Sequence, residues 1–133
     1  MLAPDPPEAT SATQPTIGIV DDDPSILRAL RRLLSTAGFT AKTFPSAEAL
    51  LACEQLDRLR CLILDIHLGG LSGFDLQQRL AATHPRIPII FITALDDALT
   101  RERARRTGAV DYLRKPFDEQ ALITAINRAL DQA

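Results

Sequence analysis

The sequence predicts a single α/β domain built on a parallel sheet. From about Thr16 onward, short segments typical of strands alternate with longer segments whose apolar residues recur at helical spacing. Two of the apolar strand segments end in aspartates, although burying an unneutralised carboxylate is costly. A length of 133 residues, 46% of them hydrophobic and 24% charged, suits one globular core.

The first predicted strand, Thr16–Val20, leads directly into a helix. Asp23 suits the N-cap of that helix, and Pro24 suits its first position, where the missing N–H costs nothing. Gly38 can end the helix in the left-handed conformation. The apolar face of this helix consists of Ile26, Leu27, Leu30, Leu33 and Leu34. Phe39–Phe44 then alternates apolar and polar residues, as an edge strand does.

The middle of the chain predicts a second helix, a central strand and a third helix. Ser46 is a candidate N-cap for a helix that continues to about Leu56. Cys61–Leu64 is continuously apolar, which is typical of a strand buried on both faces. The third helix, over residues 74–83, follows a loop that contains Gly69, Gly70 and Gly73.

The last part of the chain predicts two more strand–helix pairs. Pro88–Ile92 is the most apolar strand, with its proline at the permitted first position. The helix over residues 97–107 ends at Gly108 and should be the least firmly held, because its apolar face has only Ala98, Leu99 and Ala104. Val110–Leu113 alternates like the other edge strand. Asp118 caps a final helix that carries Leu122, Ala125, Ile126 and Leu130.

Composition excludes several classes of protein. The formal net charge of −2 gives no basic field for nucleic acid or membrane surfaces. The N-terminus lacks a signal sequence, and no apolar stretch is long enough to span a bilayer, so we expect a cytoplasmic protein. Because nothing indicates an oxidising compartment, we expect Cys53 and Cys61 to be reduced packing residues.

The first residues differ in character from the rest. Residues 1–15 have almost no large apolar side chain and contain four prolines, Pro4, Pro6, Pro7 and Pro15. Such a segment cannot bury enough apolar surface to offset its ordering entropy. We therefore expect a disordered leader over residues 1–15 and the domain over residues 16–131.

Polar groups follow four of the predicted strands. They are Asp21, Asp22, Asp65, Thr93 and Lys115. In open parallel sheets, ligands bind beyond the carboxyl ends of the strands, where the strand order switches. Asp65, Thr93 and Lys115 each have an ordinary explanation alone, as a turn, strand and surface residue. Asp23 is explained as a helix cap, but one cap needs only one side chain, which leaves Asp21 and Asp22 poorly explained. Together, in this order, the groups that follow the strands predict one crevice.

The chemistry of these groups suits a divalent cation and a phosphoryl group. Mg²⁺ takes one or two carboxylates together with waters and a phosphate oxygen. Asp22 and Asp65 can supply the carboxylates, Asp21 can act through a water, and a backbone carbonyl just after Asp65 can add a ligand. Lys115 and the Thr93 hydroxyl can bind phosphoryl oxygens. A carboxylate can itself be the nucleophile and form an aspartyl phosphate.

These residues resemble the response-regulator receiver family, the CheY-like domains of two-component signalling. The resemblance covers about Thr16 to Leu130 and rests on four motifs: Ile19-Val20-Asp21-Asp22-Asp23, Leu64-Asp65-Ile66, Ile92-Thr93-Ala94 and Tyr112-Leu113-Arg114-Lys115-Pro116-Phe117. It implies a flavodoxin-like doubly wound sheet of five parallel strands in the order 2-1-3-4-5, covered by five helices.

The resemblance assigns a metal site that holds Mg²⁺ or Mn²⁺. Asp65 matches the phosphoacceptor of the family. Asp21 and Asp22 match its acidic pair, with Asp22 as the direct ligand and Asp21 acting through water. His67 matches the position that offers its backbone carbonyl, not its imidazole, to the metal.

The resemblance also assigns a switch. Thr93 matches the hydroxyl that contacts the phosphoryl group, and Lys115 matches the family's lysine, with a cis bond to Pro116. Tyr112 matches the aromatic residue that changes rotamer with Thr93, a role compatible with that of a half-buried edge-strand residue. Phosphorylation is then expected to repack the face formed by the fourth helix, the fifth strand and the fifth helix.

One loop departs from the family pattern. The family loop after the phosphoacceptor usually reads like Met-Pro-Gly, whereas this chain has Leu68-Gly69-Gly70. Glycine in place of proline loosens the loop, which leaves open how long the phosphorylated state lasts. Leu95 can either restrict water near the phosphoryl group or rest on the fourth helix.

The resemblance implies a signalling domain, not a turnover enzyme, that promotes the phosphorylation and dephosphorylation of its own aspartate. Its partner is a sensor histidine kinase, and DNA binding is expected only through an output domain, which these residues do not contain. A group of arginines on the fourth helix is either a solvated face or a surface for a phosphorylation-dependent homodimer: Arg101, Arg103, Arg105 and Arg106.

Two other functions remain as alternatives. Haloacid-dehalogenase-type phosphatases also use an aspartyl nucleophile, and Asp21-Asp22-Asp23 contains their Asp-x-Asp pattern. That alternative leaves Asp65 unexplained and lacks a segment for a cap domain. The second alternative is a receiver-like binding module that works without phosphorylation.

Overall fold

The protein forms a parallel sheet covered by helices on both faces, in a computed structural model that describes residues 15–132. The strands are β1 Thr16–Val20, β2 Thr40–Phe44, β3 Leu59–Asp65, β4 Ile89–Thr93 and β5 Asp111–Arg114. The helices are α1 Pro24–Thr36, α2 Ala47–Leu51, α3 Gly73–Thr83, α4 Ala98–Arg106 and α5 Glu119–Gln132. A short 3₁₀ helix, Leu56–Arg58, precedes β3. In the described residues, no helix combines the length and apolarity needed to cross a membrane.

The strand order is β2-β1-β3-β4-β5, with all neighbours parallel, which confirms the predicted topology. β2 and β5 are the edge strands, as their alternating patterns predict. The order reverses between β1 and β3, where Val20 lies opposite Leu64. A crevice for ligands is expected outside the carboxyl ends of these two strands.

The predicted helix over residues 46–56 is wrong in its length. Ser46 does cap the helix, through a 3.0 Å bond from the Ala49 N–H to its side chain, but the helix ends at Leu51. Leu50 and Leu56 are both buried. In one continuous helix these residues would lie about 120° apart around the axis. The chain therefore leaves the helix and forms a 3₁₀ turn, which directs both leucines into the core.

Strand boundaries differ from the predicted ones by one or two residues. β3 is longer than the apolar run and begins at Leu59. β4 begins after Pro88, whose carbonyl accepts a bond from the Leu62 N–H, and ends at Thr93. β5 lies one residue later than predicted. Pairing with neighbouring strands decides these limits, since each added residue gains ladder hydrogen bonds.

The core consists of two apolar clusters, one on each face of the sheet. The cluster under α1 and α5 includes Ile19, Ile63 and Ile92 from the strands. The cluster under α2, α3 and α4 includes Leu62, Leu64 and Phe91. Both cysteines are free thiols, Cys61 buried in the first cluster and Cys53 at the margin of the second.

Helix α4 is the least firmly packed helix, as predicted. Ala104 is its one buried residue. Leu99 is 85% exposed, so the predicted apolar face contributes little to the core. The helix begins at the Asp97 cap and is followed by Gly108, which has the positive φ expected of a helix stop.

The expected disordered leader over residues 1–15 falls, apart from Pro15, on residues that the structure does not describe, and it stays a prediction. The domain limits of 16–131 also stay a prediction.

Candidate functional site

Three ionisable side chains meet where the strands end. Asp21 follows β1, Asp65 ends β3 and Lys115 follows β5. The Lys115 Nζ lies 2.8 Å from Asp21 Oδ2 and 3.2 Å from Asp65 Oδ2. Asp21 is fully buried and Asp65 is 5% exposed. Such charges are tolerated in the interior only when they are paired, and the lysine pairs both.

The register of the sheet produces this meeting. Asp65 lies opposite Ile92, one residue before Thr93. The Lys115 N–H donates a 2.8 Å bond to the Thr93 carbonyl, which fixes the lysine backbone beside β4. Asp21 is fixed in the same way by its N–H, which donates to the Phe44 carbonyl of β2 at 3.2 Å.

Asp22 completes a group of three carboxylates. One oxygen each from Asp21, Asp22 and Asp65 lies within 4.8 Å of the others. Asp22 is exposed, whereas the other two are buried. A set of oxygen donors at this spacing, open to solvent on one side, fits Mg²⁺, which keeps several waters when it binds.

Asp23 has a different task from its neighbours. Its side chain accepts the Ser25 N–H at 2.9 Å and the Ser25 hydroxyl at 2.7 Å, which confirms the predicted cap of α1. Its own N–H donates to Asp21 Oδ1 at 2.9 Å. That bond orients the Asp21 carboxylate so that its other oxygen faces Lys115.

The electrostatics of the site are unfavourable for a second buried anion. Burial, and then the charge of Asp21, raise the pKa of Asp65, although Lys115 acts against both. Burial lowers the pKa of Lys115, but the hydrogen bond to Asp21 and the charges of both aspartates outweigh it, so this pKa is raised overall. Added positive charge at the carboxylates would relieve this repulsion.

The loop after Asp65 closes tightly around the site. The His67 N–H donates to Asp65 Oδ1 at 3.1 Å. Helix α3 starts so close to β3 that a Cβ on Gly73 would lie 2.5 Å from the Asp65 carbonyl oxygen. Only glycine fits there. Ser72 and Asp75 form a capping box at the start of α3. Neither role was predicted from the sequence, although the Ser-x-x-Asp spacing is a signal for the second.

Gly69, which stands where the family pattern has proline, has open surroundings, whereas a Cβ on Gly70 would lie 3.0 Å from Glu48 Oε2. A Cβ on Gly69 would meet nothing within 4 Å, and Gly70 has a φ of +90°. Glu48 of α2 contacts this loop, since its Oε2 accepts the Leu71 N–H at 3.4 Å. The loop is thus held at one side by a long, weak bond.

The expected switch residues point toward the β4–α4 loop. The Thr93 hydroxyl donates to the Leu95 carbonyl at 3.0 Å and accepts the Leu95 N–H at 3.1 Å. The Tyr112 hydroxyl donates to Asp96 Oδ1 at 3.1 Å. Leu95 itself is 61% exposed, and Asp96 was not among the candidate residues. The Lys115–Pro116 bond is cis, as expected.

Chemically, the arrangement offers a buried carboxylate as a nucleophile beside an ammonium group. The lysine can bind a phosphoryl oxygen while the aspartate attacks phosphorus. The expected residues Asp21, Asp22, Asp65 and Lys115 come together; in this conformation Thr93 lies on the adjacent strand with its hydroxyl directed at Leu95.

A family model and similar known proteins agree on one family. The model of the "Response regulator receiver domain" matches residues 17–127. The chain is 40% identical over 122 residues to Nodulation protein W of Bradyrhizobium diazoefficiens, covering 92% of this chain and 54% of that protein. It is 42% identical over 117 residues to Response regulator protein TmoT of Ectopseudomonas mendocina, covering 88% and 53%. The chain spans about half the length of these curated relatives.

Solved structures give the same result. The response regulator StyR superposes with a TM-score of 0.82 at 44% identity, over 90% of this chain and 60% of that one. The CheY-like receiver domain protein of Methanospirillum hungatei JF-1 gives a TM-score of 0.83 at 25% identity, over 90% of this chain and 96% of the other.

Proposed function

Because the chain belongs to the response-regulator receiver family and is a receiver domain of two-component signalling, we propose that Asp65 is its phosphoacceptor. In the proposed step, an Asp65 carboxylate oxygen attacks the phosphorus of a phosphohistidine on a sensor histidine kinase. A phosphorus–oxygen bond forms as the phosphorus–nitrogen bond breaks. The imidazole of the kinase leaves with the electron pair.

The observation that supports this proposal is the bridging position of Lys115. Its Nζ is within 3.2 Å of Asp65 Oδ2, so a phosphoryl group added there would meet a fixed cation. The pair with Asp21 holds this ammonium in place at 2.8 Å. Phosphoryl transfer depends mainly on such positioning and charge neutralisation.

The three carboxylates fit a resident Mg²⁺ or Mn²⁺. Asp22 and Asp65 would hold it directly, Asp21 through a water, and His67 through its backbone carbonyl. When bound, the cation neutralises charge on the phosphoryl oxygens. The chain's own contribution is to hold the carboxylates at the end of β1 and β3, with one side open to solvent through Asp22.

The output of phosphorylation would be a change in the face formed by α4, β5 and α5. The new group adds roughly two negative charges and strong acceptors. The Thr93 hydroxyl would leave the Leu95 backbone to donate to it, and Tyr112 would turn into the space behind Thr93. Because α4 has one buried residue, this local change can shift that helix at small cost.

The arginines of α4 are paired within the chain. Arg101 contacts Asp96, and Arg105 and Arg106 both contact Glu102. Arg103 lies 4.4 Å over the Phe74 ring. These pairs favour the interpretation of a solvated face. The alternative, a phosphorylation-dependent homodimer, stays a prediction that light scattering of the phosphorylated protein tests by its apparent mass.

The experiment for the proposed function is intact-mass measurement after incubation with acetyl phosphate and Mg²⁺. The wild-type protein should gain the mass of one phosphoryl group. Asp65→Asn should gain no mass. The matched control Asp23→Asn makes the same chemical change at the N-cap of α1 and should still gain the phosphoryl mass. A full gain in Asp65→Asn would remove Asp65 from the role.

A further inference from the structure

Both switch side chains are tied to one short loop between β4 and α4. Thr93 exchanges two hydrogen bonds with the backbone of Leu95. The Tyr112 hydroxyl donates a hydrogen bond to the carboxylate of Asp96, the next residue of the loop. Any movement of either side chain toward Asp65 must break these bonds.

Asp96 is itself held by a cation. Arg101 of α4 donates to both of its oxygens, from Nη2 at 2.5 Å and from Nε at 3.3 Å. The same guanidinium lies 5.4 Å from the centre of the Tyr112 ring. The carboxylate, the guanidinium and the phenol thus form a closed set in which each group contacts the other two.

The protonation states suit this set. Hydrogen bonding from Arg101, with the help of Tyr112 and the charges of Arg101 and Arg114, lowers the pKa of Asp96. Burial and the bond to Asp96 raise the pKa of Tyr112 to about 12. At neutral pH the Asp96 carboxylate therefore only accepts hydrogen bonds, and the Tyr112 phenol stays protonated and donates one.

We propose that Asp96 and Arg101 form a latch that holds Tyr112 in its resting position and thereby opposes activation of the receiver. This inference rests on the proposed function, because the opposed event is the inward turn of Tyr112 after phosphorylation. Asp96 acts through Tyr112 and is a positioning residue.

The physical reason is a population shift. Turning inward costs Tyr112 its bond to a carboxylate and its contact with Arg101, while Asp96 keeps Arg101. Those lost contacts favour the resting state, so removing them should increase the fraction of active conformer and the apparent affinity for a phosphoryl mimic. Asp96 is 15% and Arg101 63% exposed in their side chains, so solvent weakens the effect.

The chain offers a direct reporter, because it has one tyrosine and no tryptophan. The emission of this 133-residue chain therefore comes from Tyr112, and an acceptor carboxylate quenches phenol emission. The experiment compares Asp96→Ala with Asp97→Asn. The control removes the same negative charge and keeps an N-capping side chain for α4.

Two results are expected. Asp96→Ala should have brighter resting emission than the wild type. It should also bind beryllofluoride with Mg²⁺, a stable mimic of aspartyl phosphate, about three- to tenfold more tightly, since charged hydrogen bonds at exposed sites contribute modestly. Asp97→Asn should match the wild type in both measurements to within roughly twofold.

A double-mutant cycle with Tyr112→Phe separates the latch from a general effect on the loop, with beryllofluoride binding measured by titration calorimetry because the Phe variants have no tyrosine emission. If the latch acts through the phenol, Asp96→Ala should not tighten beryllofluoride binding further in the Phe background. Two outcomes would overturn the latch alone. One is an equal gain in beryllofluoride affinity from Asp96→Ala in the Tyr112 and Phe backgrounds. The other is an equal beryllofluoride affinity in Asp96→Ala and Asp97→Asn. A wild-type protein without Mg²⁺-dependent beryllofluoride binding would instead overturn the proposed function.

Discussion

Helices α4 and α5 cover opposite faces of the sheet but are held by different forces. Four residues of α5 are buried: Leu122, Ala125, Ile126 and Ala129. In α4 the one buried residue is Ala104, and ion pairs with Asp96 and Glu102 occupy its surface. Apolar burial contributes far more to stability than exposed ion pairs do.

The difference indicates which part of the domain a local charge can move. A helix anchored by several aliphatic side chains shifts only if the core packed around those side chains reorganises. A helix anchored by one alanine and by polar contacts can change position by exchanging those contacts. The less stable element therefore lies beside Tyr112, where the switch is proposed, and the more stable one supports the other face.

The largest expected effect is on global stability. Ile126→Ala in α5 should lower the free energy of unfolding by about 2–4 kcal/mol, because it leaves a cavity at a fully buried position. Leu99→Ala in α4 removes a side chain that is 85% exposed and should change it by less than ~0.5 kcal/mol.

Urea unfolding followed by circular dichroism measures both variants, and equal m values confirm that the same transition is compared. Similar losses in the two variants would contradict the contrast between the helices. A loss above about 2 kcal/mol for Leu99→Ala would mean that α4 is anchored through this residue.

The two cysteines extend the comparison to the layers under the helices. Burial raises the pKa of Cys61, in the cluster under α1 and α5, to about 12. The thiolate is the reactive form, so at pH 8 iodoacetamide should leave Cys61 unmodified while it alkylates the partly exposed Cys53. Peptide mass spectrometry locates the adduct, and urea-unfolded protein, in which both sites should react, is the control.

Hydrogen exchange tests the same contrast without a substitution. Amides in the middle of α4 should exchange at least about tenfold faster than those in the middle of α5, because sparse apolar anchoring permits local opening. The measurement is exchange followed by NMR at neutral pH. Equal protection of the two helices would show that α4 opens only with the whole domain.

The smallest expected effect comes from the surface ion pairs of α4. Hydrogen bonds from Arg105 and Arg106 lower the pKa of Glu102 to about 2 from an ordinary 4.5. A carboxyl whose pKa is lowered on folding stabilises the folded state at pH values above its unfolded-state pKa. That stabilisation is lost as the pH falls toward the folded-state pKa. Glu102→Gln should therefore lower Tm by roughly 2 °C or less at pH 7, and by nothing measurable near pH 2.

Scanning calorimetry at the two pH values measures this difference. Lys42→Gln, a charge change on the distant edge strand β2, is the control. A loss in Glu102→Gln that persists at pH 2 would mean that the residue stabilises α4 through packing and not through charge.

Much of the fold was predictable because its signals are local. The cap at Asp23 with Pro24 sets the start of α1, and the apolar run before Asp65 marks a central strand. The length of α2 was not predictable from capping and periodicity. It ends early because Leu56 must reach the core, and that requirement arises only when the helix is packed on the sheet.

The candidate site was predictable to a similar degree. Side chains that end parallel strands must share one edge, so the meeting of Asp21, Asp65 and Lys115 follows from element order. The partners of Thr93 and Tyr112 did not follow. From the sequence, Asp96 is predicted only as a loop residue beside a helix cap. The neighbouring residues carry no signal that it accepts a hydrogen bond from a tyrosine sixteen positions away.

Patterns among neighbouring residues were enough to predict the succession of strands and helices along the chain, the residues that end the strands and the carboxylates available to a cation, because periodicity, caps and strand ends are local properties. The tertiary structure alone decided that Gly73 must lack a side chain beside Asp65 and that Leu95 and Asp96 hold the hydroxyls of Thr93 and Tyr112. Those contacts depend on the distance between separate elements, which packing sets to fractions of an ångström and local pattern does not encode.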